Sequence, residues 1–181
     1  MIHLRRRIFK TQSTGSAALR ELLQTMFVSE CVSAANGNEF WVVSPWISDI
    51  TLIDNRSGDF DSLNPEWGRR QIRLSEALIM LMMRGNRVVI VTRDAETNRG
   101  FLSSISELAS QNALTPYLDV VIRNELHTKG IVLSRSQVLG SMNLTFNGLE
   151  ILDESIEFCI DPSDVAMMRN QCRSDYGSVQ S

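Results

Sequence analysis

The chain is poor in the residues that staple or metallate small proteins. Its 181 residues include three cysteines, Cys31, Cys159 and Cys172, far apart and without a C-x-x-C spacing. That pattern argues against a disulfide framework or a zinc-thiolate centre and fits a reducing compartment. Histidine is scarcer still: His3 and His127 are the two present, so any imidazole chemistry rests on one of them. No charge of one sign dominates, with 18 Lys and Arg against 21 Asp and Glu and a formal net charge of −3. A chain coated in positive charge for non-specific nucleic-acid binding is therefore not expected, although a local basic patch is still allowed. Long apolar runs are also missing. The longest, "ALIMLMM" at 77–83, is far short of the ~20 residues of a membrane-crossing helix. The N-terminal "MIHLRRRIFK" carries charge with no apolar stretch behind it, which argues against a secretory signal. Together these absences predict a cytoplasmic protein with no membrane partner.

What is present is an ordinary globular composition, 43% hydrophobic and 22% charged. The length suits a single domain over 1–181 with its core over about 14–174. No internal repeat is visible. Residues 14–35 place Leu19, Leu22, Leu23, Met26, Phe27 and Cys31 on one helical face, and "NGN" ends the helix. "EFWVVSPW" reads as a buried strand stopped at Pro45, followed by a long loop over 47–68. "RRQIRLSEALIMLMMRG" reads as a helix ended by Gly85, and "NRVVIVTR" as a strand buried on both faces. A helix over "NRGFLSSISELASQN", three short strands ("YLDVVIRN", "HTKGIVLS", "SQVLGS"), the strand "DESIEFCID" and a helix starting near Pro162 complete the chain. This order predicts an α/β fold, a mixed β-sheet sandwiched between helices on both faces.

The segment "HTKGIVLSRSQVLGSMNLTFNG", from residue 127, concentrates the chemistry. In an extended chain residues two apart share a face, so His127 and Lys129 project together. Burying unpaired charge is costly, so this pair on an otherwise apolar strand demands a reason. Ser141 and Asn143, again two apart, follow the next strand. A cation, two hydrogen-bond donors and an imidazole suit a phosphate. Lys129, Ser141 and Asn143 can hold its non-bridging oxygens while His127 faces phosphorus. Glu154, in the following strand, can accept the other ring N–H of His127 and fix its tautomer. Glu157 is a weaker rival for that role.

The pattern H-x-K…G-S-x-N…E resembles the HKD motif of the phospholipase D superfamily. The resemblance extends to "FWVVSPWISD" and "LSEALIMLMMRGNRVVIVTR" and covers roughly residues 38–162. The chain also resembles the small phospholipase D-like proteins encoded with bacterial deazaguanine DNA-modification systems. The family implies a two-step phosphodiester reaction that needs no metal or other cofactor. One motif histidine attacks phosphorus, and a second protonates the leaving oxygen and then activates water. Carried over, His127, Lys129, Asn143 and Glu154 are the catalytic set, and Lys129, Ser141 and Asn143 bind phosphate.

Two departures matter. The family's Asp, five residues after the Lys, is Ser134 here, which puts turn geometry in question more than chemistry; a Ser134→Asp change is expected to firm the turn. There is also a single motif, and His3 has none of its surroundings. The second histidine must then come from another copy, which implies a C₂ homodimer. The expected function is a metal-independent nuclease acting on nucleic acid, DNA first, with partner proteins from a DNA-modification or restriction system. The alternatives are a non-catalytic module of the same fold binding nucleic acid or a protein, and a lipid phosphodiesterase, against which the missing membrane anchor weighs.

Other features have plainer readings. "DNRSGDFD" at 54–61 lacks the acidic third position and turn glycine of a calcium loop. The Met-rich helix reads as core filler, and Ser44 as a turn residue before a pocket residue. Arg5, Arg6, Arg7 and Lys10 form the densest basic run, a solvated terminus or a phosphate contact. Arg69, Arg70 and Arg73, at an expected helix start, are the better phosphate candidates.

Overall fold

The structure, a computed structural model, describes residues 4–33 and 36–177; His3 and the end of the C-terminal tail lie outside them. In chain order the elements are β1 (Arg5–Lys10), α1 (Ala17–Val32), β2 (Glu39–Val43), β3 (Thr51–Asp54), β4 (Gln71–Arg73), α2 (Leu74–Met83) and β5 (Arg87–Thr92). There follow α3 (Glu96–Gln111), β6 (Leu118–Ile122), β7 (Gly130–Val132), β8 (Gln137–Gly140), β9 (Glu154–Cys159) and α4 (Pro162–Tyr176). Seven strands form a mixed sheet in the order β1-β9-β8-β7-β2-β5-β6, with β2, β5 and β6 parallel and the remaining pairings antiparallel.

Both faces of the sheet are covered, as its composition requires. The β-branched runs of β2 and β5 send alternate residues to opposite sides. Phe40, Val42, Val88 and Ile90 join the large core under α1, α2 and α3. Trp41, Val43, Val89 and Val91 join a smaller core with Val165 and Cys172 of α4. The expected sandwich is therefore observed, with three helices on one face and one on the other.

Four local expectations are corrected. The basic N-terminal run is an edge strand, β1, whose cations meet carboxylates: Arg5 pairs with Asp164 at 2.6 Å and Arg7 with Glu157 at 3.2 Å. A charged edge strand resists pairing with other sheets. The loop over 47–68 contains β3, which pairs with β4 as a separate two-stranded sheet. The helix expected from Arg69 begins at Leu74, because Ile72 is drawn into that small sheet and is fully buried. The strand expected from His127 begins at Gly130, since β7 has partners on both sides only from that residue. Elsewhere the punctuation acts as expected. Asp161 caps α4 by accepting from the Ser163 and Asp164 amides at 3.0 and 3.2 Å, with Pro162 in the first turn.

The β7–β8 turn carries Ser134, where the family pattern has Asp. Glu30 of α1, itself buried, reaches this turn. Its carboxylate accepts from the Ser134 amide (3.0 Å), the Ser134 hydroxyl (2.5 Å) and the Arg135 amide (3.2 Å). Arg169 of α4 donates to the Ser134 carbonyl from the other side at 2.7 Å. The carboxylate missing from position 134 is thus supplied by another element, and this reverses the expectation for Ser134→Asp. A second carboxylate would face Glu30 and remove a hydroxyl donor, destabilising the fold by about 1–3 kcal/mol. Urea denaturation should show a lowered midpoint, partly restored when Glu30→Gln is combined with it. An unchanged midpoint for Ser134→Asp would show that Glu30 is not what holds the turn.

Candidate active site

Because β7 and β9 run against β2, β5 and β8, the starts of the former and the ends of the latter lie along one edge of the sheet. Ligands of open α/β sheets bind outside the carboxyl ends of parallel strands. Along this edge stand Lys129 just before β7, Ser141 just after β8, Glu154 at the start of β9, Ser44 just after β2 and Arg93 just after β5. Gly140 makes the convergence possible: a Cβ there would sit 2.2 Å from the Ser155 carbonyl. Gly148 does the same for the following loop, where a Cβ would meet the Asn143 carbonyl at 2.3 Å.

Lys129 and His127 do not present themselves equally. Lys129 is 9% exposed, whereas His127 is open to solvent. The ammonium curls back to donate to the His127 carbonyl at 2.6 Å. Burial pushes the Lys129 pKa down and the nearby Arg93 cation lowers it further, with Glu154 acting in the opposite direction. His127 lines a cleft of about 560 Å³ with Arg123, Leu126 and Tyr176. Among the described residues its ring has no hydrogen-bond partner.

Glu154 is 8% exposed and accepts a short hydrogen bond from the Ser141 hydroxyl. Ser141 in turn accepts from the Ser155 amide at 3.0 Å. The carboxylate is thus held by Ser141, and its Oε1 makes no hydrogen bond among the described residues. The β1–β9 register sets Lys10 opposite Glu154, and Lys10 is buried. One member of the basic N-terminal run therefore ends beside the site rather than in solvent. The Asn143 Oδ1 is buried with no partner, a costly state for a polar atom unless something binds there. Glu157 points away from this group and pairs with Arg7.

Of the other candidates, Ser44 is a turn residue. Its hydroxyl donates to the Trp46 carbonyl at 2.7 Å and accepts from the Leu144 amide at 3.1 Å. Arg70 is tied to Glu76 at 2.5 Å and Arg73 donates to the Asp49 carbonyl at 3.2 Å, while Arg69 is exposed without a partner among the described residues. Among the described residues no group of three or more His, Cys, Asp or Glu could hold a metal ion. Sequence reasoning missed Arg93. The signal was available, since Arg93 directly follows a buried parallel strand, at the end of the sheet where open α/β folds bind ligands.

This arrangement of a mixed seven-stranded sheet, helices on both faces and an H-x-K segment entering at one edge is the phospholipase D fold. In particular, the chain is similar to Nuc, a phospholipase D family member from Salmonella typhimurium, with 14% identity, a TM-score of 0.58 and coverage of 94% of this chain and 93% of that one. It also matches phosphatidylserine synthase of Haemophilus influenzae at 16% identity and a TM-score of 0.57, covering 93% of this chain and 38% of that one. A third match is TrmBL2, an archaeal chromatin protein with a novel mode of DNA binding, at 12% identity and a TM-score of 0.52, covering 93% and 51%. No protein-family model and no curated protein matches the chain. At these identities the likeness defines the fold.

A buried cation without a carboxylate bonded to it should be a cost to the empty protein and an asset when an anion arrives. Folding depresses the Lys129 pKa, so the unfolded chain holds the proton more tightly and stability rises as pH climbs through the folded value toward 10.5. Lys129→Met, which keeps the stem and removes the charge, should raise Tm by about 1–4 °C at neutral pH. Inorganic phosphate should raise the Tm of the unaltered protein and leave that of Lys129→Met unmoved. Scanning calorimetry with and without phosphate checks both, and equal phosphate shifts in the two proteins would remove Lys129 from the anion site.

Proposed function

We propose that the protein is a phosphodiesterase, a nuclease that cuts through a phosphohistidine on His127 and completes its site with a second copy of the chain. This reading is supported by Lys129, Ser141 and Glu154 standing along one sheet edge, with His127 two residues before Lys129 and Asn143 two after Ser141, and with a buried cation and an unpartnered buried amide oxygen among them. In the first step a ring nitrogen of His127 bonds to phosphorus and the bond from phosphorus to the leaving oxygen breaks. The partner copy's histidine gives that oxygen a proton. Water then attacks phosphorus, its proton passes to the same histidine, and the P–N bond breaks. Lys129 offsets charge on the phosphoryl oxygens as it develops. Ser141 fixes the Glu154 carboxylate, leaving Oε1 to hold the far ring N–H of His127.

Two features support the shared site. His127 is the one histidine among the described residues, and a reaction with a separate acid needs another. The loop between Asn143 and Glu154 exposes Phe146 (63%), Ile151 (51%) and Leu152 (50%), an apolar surface suited to burial against a copy of itself. The binding-only alternative draws on Ser134 and on the acidic balance of the chain, and the hold of Glu30 on the turn weakens the first of these grounds. The resemblance to proteins encoded with deazaguanine DNA-modification systems makes DNA the expected substrate, in processing or restriction alongside partner proteins.

In EDTA, the purified protein should cleave DNA, and should do so better than it hydrolyses phospholipid. His127→Asn should abolish turnover with the fold intact. Lys129→Ala should slow it by roughly a hundredfold or more. Wild-type protein quenched during turnover should carry phosphorus on His127, acid-labile and base-stable, by mass spectrometry. Sedimentation should show a two-fold homodimer. Full activity in His127→Asn would end the covalent mechanism, and a cleaving monomer would end the shared site.

A further inference from the structure

Trp46 is out of place by the logic of the core. Trp41 and Trp67 are 1% and 4% exposed, whereas Trp46 is 40% exposed. It is not on a loose loop. The Asn98 side chain, fully buried, donates to the Pro45 carbonyl at 2.9 Å and accepts from the Ile47 amide at 2.9 Å. Ser44, also fully buried, holds the Trp46 carbonyl at 2.7 Å and the Leu144 amide at 3.1 Å. The backbone on either side of the indole is thus fixed by buried side chains, and the ring is held in solvent by a rigid turn. Flexibility does not explain its exposure.

Arg93 connects this ring to the reacting group. Its guanidinium carbon lies 5.2 Å from the Trp46 ring centroid, over the face. Its Nε donates to the Leu126 carbonyl at 2.7 Å, the residue before His127. Arg93 also lies close enough to Lys129 to act on its charge. One face of the indole is therefore covered by a cation that belongs to the phosphate site, and the exposed part of the ring lies open beside it.

We infer that Trp46 and Arg93 form a stacking platform for the nucleobase next to the scissile phosphate, so that the substrate is a single-stranded nucleic acid. This deepens the nucleic-acid reading of the site and rests on it. Every base offers a π-face, so stacking on an indole is tolerant of sequence. A base inside a duplex already has its faces covered by neighbours and cannot stack on Trp46 without being extruded. A guanidinium behind the indole and a lysine beside it would attract the strand's backbone while the ring takes the base. A lipid headgroup offers no such face.

The experiment uses the full chain as His127→Asn, so that the strand survives, and follows tryptophan fluorescence and affinity. Trp46 is the one solvent-open indole, so quenching reports on it. The probes are a single-stranded oligothymidylate, its abasic sugar-phosphate counterpart of equal length, and a duplex. The thymidylate should quench and should bind about tenfold or more tighter than the abasic strand, with the duplex weaker than the single strand. Trp46→Ala should erase the advantage over the abasic strand, and Trp46→Phe should keep part of it. Equal affinity for thymidylate and abasic strands in the Trp46-containing protein overturns the platform while leaving phosphate binding standing. Failure of both strands to bind overturns the platform and the nucleic-acid reading together.

Discussion

The ammonium of Lys129 is held out of water with a backbone carbonyl as its one hydrogen-bond acceptor among the described residues, and with the charges of Arg93 and Glu154 acting on it in opposite directions. An arrangement like this costs free energy in the empty protein, because charge is stripped of solvent and no carboxylate is bonded to it. It persists because the surrounding fold over-determines it. Lys129 is joined to β8 through the Gly140 amide, and the β7–β8–β9 ladder cannot shift by one residue without exchanging the two faces of the sheet. The two cores on either side of that ladder set the register, so apolar packing far from the site stabilises a polar group the site cannot stabilise alone.

The same sheet separates two kinds of polar group. At the edge with the β7–β8 turn, Glu30, Ser134 and Arg135 satisfy one another and Arg169 closes the turn from α4, while the Arg169 Nε and the Gln137 Oε1 stay buried without partners among the described residues. Glu30 lies on the first helix and Ser134 more than a hundred residues later, so the turn is held by tertiary structure where the family pattern holds it locally. At the opposite edge Asn143 Oδ1 is buried without a partner, and Lys129 and Arg93 lie close together with no ion pair to either among the described residues. The two unpaired cations, more than the orphaned amide oxygen, distinguish this end of the sheet, and an anionic group there would offset their charge.

Much of this was legible in the sequence because it depended on local signals. The Phe-Trp-Val-Val run of β2 and the Val-Val-Ile-Val run of β5 specified buried strands, and Pro162 marked the start of α4. The H-x-K and G-S-x-N spacings nominated Lys129 and Ser141, which lie just before β7 and just after β8. What was not legible depended on distant partners. β1 is a strand because β9 offers it an edge, not because "RRRIFK" has a strand pattern. Ile72 was absorbed into an expected helix because its pairing with Ile53 is set across the chain. The bond from Ser141 to Glu154 and the reach of Glu30 to Ser134 each join elements whose proximity only the folded sheet creates.

Arg93 owes its position to the strand it follows. Nothing in its neighbours distinguishes it from Arg84 or Arg99, yet it is the first residue past a buried parallel strand. At that point the chain leaves the core, and a polar side chain can turn inward over the edge without entering the sheet. The strand's neighbours then determine what it meets: β2 contributes Trp46 through the Ser44–Pro45 turn, and the segment before β7 contributes Leu126 and, next to it, His127. Arg93 contacts the aromatic ring and the segment before β7 at once. Strand order sets this geometry: β5 lies beside β2 and β2 beside β7, so the residue that follows β5 can meet both the turn after β2 and the segment before β7.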